Sequence, residues 1–355
     1  MVPFLQQILS KRAPVSTNDT PNNETMKERR GMKLPMSFST SAALMILVLP
    51  FALLNSPVSD TELGYLPPAL KKCGKLCQVD AGKFEKSLYF EKRTVHVDCK
   101  AIFADDVFIL RGHGQASAPR KIPLKYQRDY TLGGRITVQE LYFDQMYLTK
   151  TADMQVWRKE LVAEWIQLAN NGKLDGNYGV VETNHLRHAL EFAHGIKGGR
   201  VLVIGSENPW VEATVLSAGA KSVTTLEYGT IMSEHPSIDT LTPPQFQKRF
   251  QNGSLGLFDA IVTFSSVEHS GLGRYGDALN PWGDVLEIAR AHCVCKDFGS
   301  LVIGVMTKGG NDALEFNAHR VYGSIRWPYL ASNWQQIYKE PEGEQQVHVF
   351  LKLPH

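Results

Sequence analysis

The chain has 355 residues, 43% apolar and 21% charged, and its 38 basic and 36 acidic side chains leave a formal net charge of +2. That length allows one large domain or two modest ones, and the composition is that of a packed globular protein. So even a balance argues against nucleic acid as a partner. The densest basic stretch, Arg120, Lys121, Lys125 and Arg128, reads as a solvated face.

Residues 1–35 are rich in Ser, Thr, Asn and Pro and hold too few apolar side chains to offset chain entropy. A disordered cytoplasmic tail is expected there. The composition then changes sharply, and Ala42–Leu54 is uninterrupted apolar sequence, 18 positions when counted from Ser37. That length suffices to cross a bilayer core of about 30 Å. Lys27, Arg29, Arg30 and Lys33 precede the segment, whereas Asp60 and Glu62 follow it. The positive-inside rule then keeps the N-terminus cytoplasmic and places everything after Leu54 in the lumen. Residues 36–55 are therefore expected to form the signal-anchor helix of a single-pass type II protein of the endoplasmic reticulum or Golgi. A cleaved signal peptide competes with this, but the leader is long and no small-x-small site follows Leu54. A buried core helix fits the polar leader poorly.

Residues 56–135 read as a stem or accessory region with short strands at Val95–Val97 and Val107–Leu110. Cys73, Cys77 and Cys99 cluster here, and in an oxidising lumen two of these three are expected to bridge. With His96 they make four metal-ligating groups, but at no standard zinc spacing, so no metal is expected. Cys293 and Cys295 are too close to pair with each other and read as buried helix residues. Asn252-Gly253-Ser254 is a glycosylation sequon, usable only in a luminal domain.

From residue 136 to the end, a single α/β domain opened by helices is expected. Trp157, Leu161, Trp165 and Leu168 mark one helix face, and Leu186, Ala189, Leu190 and Ala193 a second, with Thr183 as its N-cap and Gly195 as its stop. Arg200–Ile204 is a strand of the kind buried on both faces of a parallel sheet. A helix entered at Pro209 runs to Ala218. Strands follow at Ser222–Glu227, near Ile238 and at Phe258–Phe264, with a helix from Pro243. A helix after Asn280-Pro281, a strand at Leu301–Val305 and an alternating strand at Gln346–Leu353 complete the series. Repeated βα units of this kind imply a Rossmann-like, doubly wound, mostly parallel sheet.

In such sheets ligands sit beyond the C-terminal strand ends. Gly205 permits a tight turn there, and Glu227, which closes the second strand, is placed to accept hydrogen bonds from two ribose hydroxyls. The run Ser206-Glu207-Asn208-Pro209-Trp210 lacks the later glycines of a dinucleotide fingerprint, and Glu207 would repel a pyrophosphate. A sulfonium cofactor tolerates Glu207 and an aromatic such as Trp210 far better. At the end of the Phe258 strand, Ser266, Glu268 and His269 fall beside the expected ligand. His269 titrates in the range of a general base for an acceptor hydroxyl, with Glu268 beside it. The Gly-rich loop from Gly271 to Asp284 offers Arg274, Tyr275 and Asp277 to a substrate. A loop-capping role for Glu268 and His269 and a lid role for this loop are equally compatible with the sequence.

Three segments carry a resemblance: LVIGSENPWVEA, FDAIVTFSSVEHSGLGRYGDALNPWGD and EFNAHRVYG. Over roughly Tyr178–Leu353 they resemble domain-of-unknown-function family 268, whose fold is similar to that of class I S-adenosylmethionine-dependent methyltransferases. The resemblance implies S-adenosylmethionine as cofactor, held around Gly205, Glu207, Trp210, Glu227 and Ser266. It also makes His319 and Arg320 acceptor-binding candidates. The expected function is O-methylation of a small-molecule or glycan acceptor in the secretory pathway. A catalytically inactive methyltransferase-like binding protein is the alternative. A glycosyltransferase comes third, because no Asp-x-Asp metal motif is present.

Overall fold

The computed structural model describes residues 73–79, 93–104, 119–139, 141–143 and 154–354. The expected tail at 1–35, the anchor at 36–55 and the strand at Val107–Leu110 lie outside the described residues. Among the described residues, no helix is long and apolar enough to cross a membrane.

In chain order the elements begin with helices α1 (Cys99–Ala104) and α2 (Leu124–Tyr130), strands β1 (Thr137–Gln139) and β2 (Gln155–Trp157), and helices α3 (Lys159–Asn170) and α4 (Val180–Ala189). Strand β3 (Arg200–Ile204), helix α5 (Trp210–Ser217), strands β4 (Ser222–Leu226), β5 (Ile231–Ser233) and β6 (Ile238–Leu241), helix α6 (Pro243–Gln251) and strand β7 (Phe258–Phe264) follow. Then come α7 (Gly283–Val294), β8 (Cys295–Val305), β9 (Ala313–Glu315), β10 (His319–Val321), α8 (Trp327–Leu330), β11 (Trp334–Lys339) and β12 (Gln346–Lys352).

Seven strands form the central sheet in the order β11-β12-β8-β7-β3-β4-β6. Strands β6, β4, β3, β7 and β8 run parallel, whereas β12 is antiparallel to both β8 and β11. Numbered by their order within the sheet, the strands read 3-2-1-4-5-7-6 with the seventh reversed, the class I methyltransferase-like arrangement. Alternation along the strands explains why both faces are covered. Val201, Val203, Val223, Ala260 and Val262 point into a cluster with Val162, Leu186 and Val211 of α3, α4 and α5. Leu202, Ile204, Ile261, Leu301 and Ile303 point the other way, onto Phe246, Ile288 and Val294 of α6 and α7. A strand apolar on both faces needs such double cover.

The stem does not stand apart from this domain where it is described. The disulfide Cys99–Cys293 joins α1 to α7. Phe103 stacks on Phe250 with ring centroids 3.7 Å apart, and its carbonyl accepts amide protons from Gln247 at 2.8 Å and Gln251 at 2.9 Å. Asn333 pairs with both backbone groups of Val95. A third apolar cluster seats Leu76, Tyr126 and Tyr130 against Trp282, Leu286 and Tyr329. The Cys73–Cys77 bridge matches the expectation of a pair within the first three cysteines. Cys293 instead bonds to Cys99, because the end of α7 packs beside α1, and Cys295 is a buried free thiol opening β8 rather than a helix residue.

Two local readings are corrected. Trp157 ends β2, which pairs in parallel with β5, and the helix begins two residues later. Its indole N–H donates to the Glu207 carbonyl at 3.2 Å, which holds it out of the helical stripe it otherwise continues. The N-cap of α4 is Gly179, while the Thr183 hydroxyl, within the helix, donates back to Asp175.

Candidate functional site

Three loops converge at the C-terminal ends of β3, β4 and β7. Gly205 has φ +73°, and a Cβ at that position would lie 1.8 Å from the Ser266 Oγ. Only glycine lets the two strand ends approach this closely. Its N–H donates to Leu226 at 2.9 Å, fixing the first turn against the second strand. Glu227 follows, half-buried, with Oε1 accepting the Tyr228 amide at 2.7 Å. Burial raises its carboxyl above the ordinary range, and the amides of Tyr228, Gly229 and Ser206 offset part of that rise.

Glu207 is exposed and turned outward, its carboxylate accepting from Gln155 Nε2 at 3.3 Å. The like-charge conflict that the sequence suggested is therefore moved to the rim. Trp210 is only 2% exposed, edge-on to Phe264 at 4.9 Å and to Tyr178 at 6.2 Å. It belongs to the core beneath the loop and presents no face to a ligand. Beneath the same loop lies a group that the motif reading passed over. Glu212, fully buried on α5, stands 2.9 Å from the Ser206 hydroxyl and 2.7 Å from that of Thr225, and burial lifts its carboxyl to about 7. A lone acid in an otherwise uncharged and mostly apolar helix, WVEATVLS, was the available signal.

On the β7 side, Ser265 holds φ +48° with its amide donated to Gly304. A non-glycine residue there marks a chain constrained by its surroundings. Its hydroxyl accepts from Gln345 Nε2 at 3.1 Å and is hydrogen-bonded to Tyr178. Burial pushes the Tyr178 phenol up to about 12. Tyr178 reaches the site from the turn before α4, and no motif announced it. Glu268 is 0% exposed, and neither carboxylate oxygen has a partner of hydrogen-bond geometry. Burial lifts its carboxyl to about 7, against the opposing pull of its own amide, Ser265, Arg274 and Arg320.

His269 is half-buried, and its Nδ1 lies 2.7 Å from the Ala318 carbonyl. A carbonyl only accepts, so Nδ1 carries the proton and Nε2 keeps its lone pair. Burial, then Arg274, His319 and Arg320, push the imidazole down to about 3, so it stays neutral near pH 7. Such a ring accepts a hydrogen bond but holds a proton weakly, which corrects the expectation that it titrates as an ordinary histidine. Tyr275 and His319 stand edge-on to it at 5.6 and 6.1 Å. Arg274 lies over the rings of Phe143 and Tyr275, at 4.7 and 5.1 Å.

Two acceptor candidates are structural instead. The Asp277 carboxylate accepts the amides of Gly271, Gly273 and Tyr275, so it shapes its own loop. Arg320 is 1% exposed and donates to the carbonyls of Ser270 at 2.7 Å and of Glu268, Asn280 and Pro281 at 3.3–3.4 Å. With Arg326 it encloses Asp284, which Arg326 grips at 2.6 and 2.8 Å. Burial alone would raise the Asp284 carboxyl, but the two arginines outweigh it and hold it below its ordinary range. His319 is half-buried, 3.2 Å from the Glu315 carboxylate across the β9–β10 pair. Among the described residues, no cluster of His, Cys, Asp and Glu is placed to hold a metal ion. A cavity of about 310 Å³ lined by Asn170, Arg187, Lys197 and Ser217 lies at the opposite end of β3, away from these groups.

No curated protein matches the sequence. Among solved structures, the chain is similar to a 1,6-didemethyltoxoflavin-N1-methyltransferase from Burkholderia thailandensis with bound S-adenosylhomocysteine, at 15% identity and a TM-score of 0.35, covering 55% of this chain and 88% of that one. It is also similar to the N-methyltransferase NodS of Bradyrhizobium japonicum WM9 in complex with S-adenosylhomocysteine, at 14% identity and a TM-score of 0.35, covering 55% and 97%. The resemblance read from the motifs is borne out by a family match over residues 198–351: this segment fits the family described as "Caenorhabditis protein of unknown function, DUF268".

Proposed function

We propose that this chain is an S-adenosylmethionine-dependent methyltransferase acting on a hydroxyl of a small-molecule or glycan acceptor. The close approach of Gly205 and Ser266, with Glu227 on one side and His269 on the other, carries this reading. When bound, the cofactor supplies an electrophilic methyl group on a cationic sulfur. Gly205 lets Ser266 close on the first turn beside its place, and Glu227 is the carboxylate for its ribose. His269 Nε2 accepts a hydrogen bond from a second polar group of the acceptor and so orients the attacking oxygen in line. Arg274 and Tyr275 flank that position, and Glu207 remains at the rim.

A luminal, membrane-anchored location is part of the proposal. It draws on the basic-flanked apolar run at 36–55, on the two cystine bridges and on the exposed sequon at Asn252. The alternative, a methyltransferase-like binding protein, draws on the weak basicity of His269.

Calorimetric titration of the full-length protein with S-adenosylmethionine tests the cofactor assignment. Saturable binding that weakens at least tenfold in Glu227→Ala is expected. No binding at millimolar ligand sinks the proposal, and an unchanged Glu227→Ala sinks the ribose assignment.

A further inference from the structure

A buried carboxyl normally has hydrogen-bond partners or an opposite charge that compensates its desolvation. Glu268 is 0% exposed, and no hydrogen bond of full geometry reaches either oxygen; its own amide, Ser265, Arg274 and Arg320 offset only part of its burial, and it lies two residues from the Ser266 that closes on Gly205. Around it stand Ser265 from its own loop, Tyr178 from the turn before α4, and Arg274 and Tyr275 from the Gly-rich loop. Arg320 and Tyr322 face it from β10 and the residue beyond, and His269 is its chain neighbour. Its charge is felt by Tyr178 and Tyr275, the two phenols of the site, and by Tyr322.

Resting on the cofactor reading above, we infer that Glu268 is the counter-charge of the cationic methyl donor and the group that takes the proton the acceptor releases. Placing a positive charge beside an unsatisfied carboxyl favours its ionised form, so the donor binds with loss of a proton from Glu268. Methyl transfer breaks the carbon–sulfur bond, leaves its electron pair on a neutral thioether, and forms the new bond to the acceptor oxygen. The acceptor proton then has a destination, because the carboxylate has lost its cation in the same step and regains its preference for the neutral form. Charge and proton counts balance without another reactant. The neutral product loses the attraction that held the donor, which favours exchange of product for donor. The carboxyl's position near 7 in the free protein leaves it able to change state at neutral pH.

The test is a calorimetric titration of the full-length protein with S-adenosylmethionine and with S-adenosylhomocysteine at pH 7, in two buffers of different ionisation enthalpy. With a carboxyl near 7, the donor is expected to release about half a proton more than the product. Glu268→Gln, which keeps the shape, is expected to abolish that excess. It should weaken the donor by roughly tenfold and leave the product within about twofold. The amino group of each ligand contributes alike in both proteins and cancels. Equal proton release by donor and product in the unaltered protein overturns the inference, as does an excess that persists in Glu268→Gln. If neither ligand binds, the cofactor reading fails first and takes this inference with it.

Discussion

The buried acid beneath the first turn makes a prediction whose sign follows from hydrogen-bond geometry and whose size follows from its burial. The Ser206 hydroxyl has one proton and stands 2.8 Å from the Asn208 carbonyl and 2.9 Å from Glu212 Oε2. A carbonyl only accepts, so Ser206 satisfies Asn208 only if Glu212 brings the proton for their shared bond. Thr225 supplies the other oxygen. Hydrogen-bond counting and burial thus agree that Glu212 is held protonated to about 7, against 4.5 when free. For an acid raised by folding, stability is full below the unfolded value and falls as pH rises towards the folded one. The loss is about 1.4 kcal/mol per unit, reaching roughly 3 kcal/mol by pH 8. Glu212→Gln donates to Ser206, accepts from Thr225 and never ionises. Its stability relative to the unaltered protein is therefore expected to improve by about 2 kcal/mol between pH 5 and pH 8, or roughly 3 °C in Tm. Thermal unfolding of both full-length proteins at the two pH values reads the difference, and the other raised acids cancel. A difference that does not change with pH, or that favours the native residue more at pH 8, refutes the argument.

Arg320→Ala should cost about 3–5 kcal/mol, because it strips four carbonyls and leaves Asp284 with one arginine fewer. Arg274→Ala should stay within about 1 kcal/mol in unfolding measurements, so any ligand defect in it reports binding rather than collapse. Denaturation without reductant should expose one alkylatable thiol, Cys295, and reduction should expose all five, as mass spectrometry would count. Cys99→Ser should lower stability by about 2–5 kcal/mol. Asn252→Gln should abolish a glycosidase-sensitive mass shift in secretory-pathway expression; absence of any shift in the native sequence would count against the luminal assignment.

The parallel core was legible because its strands are apolar on both faces and its turns carry Gly205, Pro209 and Gly219, which leave few alternatives. Strands β9, β10 and β11 were not, since three-residue strands and a mixed WQQIYK run have no period long enough to read. Gly205, Ser266, Glu227 and His269 were placed together by strand ends alone. Tyr178 escaped because it comes from a turn outside any βα unit. The roles of Arg320 and Asp277 were misread for a related reason. A charged side chain in a loop looks available in sequence, and only the carbonyls and amides folded around it reveal that it is already spent.

The Cys99–Cys293 bridge spans 194 residues, whereas Cys73 and Cys77 are four apart. On the luminal route proposed above, Cys99 emerges about 10–40 s before its partner, at 5–20 residues per second. Over that interval the only other thiols already made are Cys73 and Cys77. By closing on each other they withdraw from competition, which leaves Cys99 for the late pair Cys293 and Cys295, and the packing of the end of α7 beside α1 then brings Cys293 to it.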